Sequence, residues 1–60
     1  MRMIRLTGSG DETAYVNPDN IVAIIRNRNH TTVYLDCELR EFLSVKESPE
    51  NIIQKISVLE

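Results

Sequence analysis

Apolar and polar positions alternate along the chain in short runs, and each run ends in turn chemistry. In residues 3–7, Ile4 and Leu6 share one face of an extended segment while Met3, Arg5 and Thr7 take the other, which predicts a first strand. Gly8-Ser9-Gly10-Asp11 breaks it, and two glycines suit the positive φ that a tight hairpin loop asks for. Residues 12–16 make the second predicted strand, with Ala14 and Val16 on one face. No central strand can run through Asn17-Pro18-Asp19-Asn20, because proline lacks an N–H and Asn and Asp side chains compete for the backbone.

The run Ile21-Val22-Ala23-Ile24-Ile25 is apolar throughout, so alternation does not assign its inner face. A 3₁₀ turn over 18–21 lets Ile21 and Ile24 both point inward and leaves a third strand over about 22–28. Asn27-Arg28-Asn29-His30 is polar, tolerant of left-handed backbone, and predicts the next hairpin loop at the end of that strand. Residues 31–37 read as a fourth strand with Val33, Leu35 and Cys37 inward and Thr32, Tyr34 and Asp36 outward. Glu38 to Glu41 must turn without glycine, and residues 42–46 make a fifth strand with Leu43 and Val45 inside and Phe42 and Ser44 outside.

The last element is a helix over 49–59. Ser48 is a natural N-cap, Pro49 suits a first helical position whose N–H has no partner anyway, and Glu50 complements the positive end of the dipole. Ile52, Ile53, Ile56 and Leu59 recur at helical spacing as one stripe, and Val58 falls on the opposite side. So short a helix needs a sheet to pack on. The expected fold is therefore α+β: a single domain over 1–60, a four- to five-stranded antiparallel β-meander with one C-terminal α-helix packed on the sheet.

Length changes the picture. A 60-residue chain buries only about 60% of the surface its unfolded form exposes, so its core is thin and needs help. One cysteine, Cys37, makes no internal disulfide, and with one histidine, His30, it makes no four-ligand Cys/His zinc site, which leaves self-association. A net charge of -2, with seven scattered basic residues, gives no electrostatic reason to expect nucleic acid. The start MRMIRLTG is too short and too rich in arginine for a signal peptide, and no stretch approaches the roughly 18 apolar residues of a membrane span, so the expected compartment is the cytoplasm.

Candidate chemistry is sparse. Gly8-Ser9-Gly10 lacks the third glycine of a dinucleotide fingerprint and the Gly-Lys-Ser/Thr of a P-loop, and reads as a turn. Histidine suits proton transfer or metal binding, but His30 sits in a polar loop. Cys37 lies between anionic Asp36 and Glu38, poor surroundings for a thiolate, and reads as a small buried apolar residue. Asp36 and Glu38, two apart on a strand, share a face as a hydrolytic carboxylate pair does, yet nearby Arg40 points to ordinary charge pairing. Arg26 and Arg28 share a face as well, and read as a solvated edge that discourages strand pairing. Asn29-His30-Thr31 matches a glycosylation sequon without a secretory signal. No catalytic, cofactor-binding or metal residue is assigned, and no cofactor is expected.

What a monomer leaves over is apolar surface. Met1, Met3, Tyr15, Tyr34, Phe42 and Val58 fall on outward faces, and Met3, Tyr15, Tyr34, Phe42 and Val58 are the candidate interface.

Three stretches carry a resemblance. Met3-Ile4-Arg5-Leu6-Thr7, Tyr15-Val16-Asn17-Pro18-Asp19-Asn20-Ile21, and Val45 through Ile56 (Val-Lys-Glu-Ser-Pro-Glu-Asn-Ile-Ile-Gln-Lys-Ile) resemble, in order and spacing, the FlbD-type flagellar protein family, also called the swarming motility SwrD family. That resemblance implies a short cytoplasmic bacterial protein, an accessory of flagellar motility with no enzymatic activity and with a motility component as partner. The chain departs from the family at Glu38 to Glu41, where a Gly-containing turn is usual, and at the double-arginine loop over 26–30. A second, weaker similarity is to β-rich DNA-binding modules of response regulators, whose basic loop surface this acidic chain lacks. The expected function is a non-catalytic, self-associating protein-interaction module. The alternatives are a small accessory protein of a phage or mobile element and a weak nucleic-acid-associated regulator using Arg2, Arg5, Arg26 and Arg28.

Overall fold

A computed structural model describes residues 2–59; Met1, one of the outward apolar positions, lies outside them. The fold is α+β. Five strands, β1 (Ile4–Thr7), β2 (Thr13–Val16), β3 (Ala23–Arg26), β4 (Thr31–Tyr34) and β5 (Phe42–Val45), are followed by α1 (Pro49–Val58). β1 and β2 form an antiparallel hairpin, and β3, β4 and β5 form an antiparallel three-stranded sheet in that order. One uninterrupted meander does not form, since among the described residues no ladder joins β2 to β3. The 3₁₀ turn at Pro18–Asn20 separates them, capped by the Asn17 side chain, which accepts the Asp19 N–H at 3.0 Å.

The two sheets meet instead between the end of β1 and β5. Gly8 bridges Val45, Thr7 O accepts the Lys46 N–H at 2.8 Å, and the Ser9 N–H donates to Ser44 O at 2.9 Å. The Glu47 carboxylate accepts the Thr7 N–H, with both oxygens at 2.9 Å. A partly buried N–H is thereby satisfied by a charge-assisted bond where the strand edge would otherwise be bare.

The core follows from alternation. Ile4, Leu6 and Val16 of the hairpin and Val33 and Val45 of the larger sheet are buried, and Ile52 of α1 closes over them. Ala14, Ile21, Ile24, Leu35, Leu43, Ile56 and Leu59 pack around this centre, so the 3₁₀ turn does set Ile21 and Ile24 inward together. Ser48 caps α1 by accepting the Asn51 N–H at 3.1 Å, and Pro49 opens it.

Several local expectations give way. Ile53 is 54% exposed, because the helix has only the narrow core of a small sheet beneath it and Ile52 and Ile56 already fill that line. Thr32 is on the outer face but only 7% exposed, since the Asn27 side chain folds over it with Nδ2 donating to Oγ1 at 2.6 Å. Neither glycine of the first hairpin has positive φ. Asp11 takes the left-handed position at φ 71°, after a turn closed by its N–H donating to Gly8 O at 2.9 Å. In the 27–30 loop no residue has positive φ, and the loop closes with the Asn27 N–H on His30 O at 2.9 Å.

β4 ends at Tyr34, earlier than the alternation suggests. Leu35 still pairs, its N–H donating to Glu41 O at 2.8 Å, but Asp36 turns the chain: its Oδ1 accepts the N–H groups of Arg40 at 2.8 Å and Glu41 at 2.9 Å. With no glycine here, Leu39 itself is left-handed, at φ 59°. Cys37, expected inside as the last inward residue of a longer strand, lies in this turn and is exposed.

Ion pairs join Arg26 to Glu50, Arg40 to Glu38 and Lys46 to Asp11. All six side chains are more than half exposed, so each pair is worth at most about 1 kcal/mol and none holds the fold.

Two outcomes check this packing. Ile52→Ala is expected to cost about 2–5 kcal/mol in urea unfolding, while Val58→Ala, six residues along the same helix but 72% exposed, changes stability by less than about 0.5 kcal/mol. Equal effects contradict the assignment. Ellman's reagent should titrate one thiol in the native protein, and a thiol that reacts only after denaturation would put Cys37 back inside.

Candidate functional site

Alternation and register sort the outward residues into two regions. On the outer face of the three-stranded sheet, Tyr34 lies opposite Phe42 on β5 and opposite Ala23 on β3, and Ile25 lies opposite Thr32. Directly opposite residues of an antiparallel pair share a face. Tyr34 and Phe42 therefore stack there, ring centroids 5.8 Å apart and planes tilted by 54°, with Phe42 and Ile25 exposed. The sheet's other face is the core, so one helix cannot cover both. Phe42 is where β5 begins, just after the Asp36 turn, and that turn's amides fix its position.

The second region surrounds the start of β1. Met3 lines a groove of about 300 Å³ between β1 and α1, together with Arg5, Asn51, Lys55, Val58 and Leu59. Met3 also lines a more enclosed depression of about 400 Å³ with Tyr15, Val16, Asn17, Leu35 and Leu43. Of the five candidate interface residues, Met3, Tyr15 and Val58 thus gather around β1, while Tyr34 and Phe42 form the separate stacked pair. Met3, Tyr15, Phe42 and Val58 are exposed and Tyr34 is half-buried. Val22, Ile25, Leu39 and Ile53 are further exposed apolar residues that the outward set did not include. Ile25 was hidden by the uniformly apolar run around it, and Leu39 by a turn whose backbone no composition signal announces.

The residues weighed for chemistry do not converge. His30 Nε2 lies 3.2 Å from Asn27 Nδ2, whose amide also donates to Thr32, so the ring helps to brace the hairpin loop. Asp36 and Glu38 are not on a strand face: the first holds turn amides and the second pairs with Arg40. Arg26 reaches across to Glu50 at the start of α1 and ties the β3 end to the helix. Among the described residues, no three His, Cys, Asp or Glu side chains come together as metal ligands, and no helix is long and apolar enough to cross a membrane.

The two segments most telling for the family resemblance have structural work. In Val45-Lys46-Glu47-Ser48, Val45 is buried, Lys46 and Glu47 bind the two backbone groups of Thr7, and Ser48 caps α1. In Tyr15 to Asp19, Val16 is buried and Asn17 and Pro18 make the 3₁₀ turn. No protein-family model matches the chain, and no curated protein or solved structure matches it either.

Proposed function

We propose that this protein is a non-catalytic interaction module that self-associates through the outer face of its three-stranded sheet. The observation that carries this reading is the Tyr34–Phe42 stack on the sheet face opposite the core, where Phe42 and Ile25 are exposed. Aromatic residues at the centre of such a face are the usual anchors of protein contacts. A core of only six buried apolar side chains among the described residues gives a second reason, since small domains commonly gain stability by association.

The similarity of residues 3–7, 15–21 and 45–56 to the FlbD-type family supports an accessory role in flagellar motility in the cytoplasm, with a motility component as a further partner. Deleting the gene in its native host is then expected to reduce swarming without slowing growth in liquid culture, and unchanged swarming contradicts the motility part.

Sedimentation equilibrium tests the self-association. The protein should show reversible, concentration-dependent mass between micromolar and millimolar, and Phe42→Glu should return it to a monomer with the circular dichroism of the parent. A strict monomer over that range removes the reading.

A further inference from the structure

We propose that the groove between the N-terminal half of β1 and α1 receives an extended acidic segment of a partner protein, added as a short strand beside Met3 to Arg5. The inference deepens the interaction-module reading and uses a different surface from the Tyr34–Phe42 face.

The backbone of β1 sets up the site. In an antiparallel ladder, successive residues turn their N–H and C=O groups alternately toward and away from the partner strand. The Gly8 N–H donates to Glu12 O on the hairpin side, whereas both polar groups of Thr7 point the other way, to Glu47 and Lys46. Two residues earlier, Arg5 repeats the orientation of Thr7. No described residue fills the lane beside it, because the chain leaves that lane at Glu47 and turns at Ser48 into α1. What lies alongside is the groove, with Met3 and Val58 exposed at its rim. An extended peptide laid there pairs with the N–H and C=O of Arg5, which bond no other described residue, the strand-addition mode of recognition.

Charge selects the peptide. The chain has seven Lys and Arg residues and a net charge of -2. Three of the seven, Arg26, Arg40 and Lys46, are in ion pairs. Of the other four, Arg5 and Lys55 line the groove, and Arg2 donates to the carbonyl of Leu59, another lining residue. No acidic side chain among the described residues lines it. Arg5, Lys55, Asn51 and Gln54 give the wall its cationic and amide groups, and Met3, Ile4, Val58 and Leu59 give it the apolar surface that predominates, which fits a segment alternating carboxylates with apolar side chains. One step along the same edge the chain already satisfies an outward N–H with a carboxylate, that of Glu47.

The probe is a blocked peptide of alternating glutamate and valine, about seven residues long, long enough to add one strand. Titrated into the ¹⁵N-labelled protein at low salt, it should shift the amides of Met3 to Arg5, Asn51, Lys55 and Val58, with the Arg5 amide moving as a new hydrogen bond forms. Added salt should weaken binding. Lys55→Glu and Arg5→Glu should each weaken it about tenfold or more while circular dichroism stays unchanged, and N-methylation of the peptide backbone should do the same.

The inference is overturned by no shifts up to millimolar peptide, equal binding of a lysine–valine peptide, the same shifts from free glutamate, or concentration-dependent broadening of the groove amides without peptide, which would assign the groove to a second copy of the chain. Peptide shifts confined to Tyr34 and Phe42 also overturn it but leave the interaction-module reading standing. Peptide binding in the groove of a strictly monomeric protein has the opposite effect, upholding the groove and removing self-association.

Discussion

Thr7 joins the two halves of this fold through both of its backbone polar groups. Its C=O takes the N–H of Lys46 and its N–H lies on the Glu47 carboxylate, beside the bridge between Gly8 and Val45. Without that seam the β1–β2 hairpin would be a two-stranded unit, too small to be stable alone in water. With it, Ile4 and Leu6 are brought against Val33 and Val45, and Ile52 of α1 has a continuous apolar surface to cover. The residues that make the seam directly precede the helix cap at Ser48, so the same few residues join the sheets and aim the helix.

Much of this was legible in the sequence where the pattern was strictly periodic or the turn chemistry strong. The alternation at Ile4 and Leu6, at Val33, and at Leu43 and Val45 placed β1, β4 and β5 to within a few residues, and Ser48-Pro49 fixed the start of α1. Order in the sheet was not legible, because the seam depends on a backbone group of Thr7 meeting a side chain forty residues away, and no local period encodes that. Cys37 was misplaced for a related reason: alternation continued formally past Tyr34, while the Asp36 carboxylate had already turned the backbone by gathering two amides. The left-handed position at Leu39 falls on a residue whose type does not advertise it, and in the first loop Asp11 takes it although two glycines lie beside it.

The surfaces follow from the same economy of size. A chain this small covers one side of its larger sheet with one helix, so Phe42 and Ile25 stay exposed on the other. The seam closes only the C-terminal half of β1, so its N-terminal half opens onto α1, and basic side chains with no ion pair among the described residues gather there. The five candidate interface residues were thus legible as outward positions, but their division into two regions was not, because it depends on the gap that β5 leaves beside Arg5. The segments that carry the family resemblance stabilise the fold and also supply Met3, Ile4, Arg5, Asn51, Gln54 and Lys55 to the groove walls, while the aromatic pair Tyr34 and Phe42 lies outside them.

Native-state hydrogen exchange at single-residue resolution tests the seam most directly. The amides of Thr7, Ser9 and Lys46 are expected to exchange only through global unfolding, with free energies equal to that of the Ile52 amide, while the Arg5 amide on the same strand exchanges through local opening and orders of magnitude faster. Thr7 and Arg5 exchanging at the same rate would contradict the account, since the two sheets would then not be joined through Thr7.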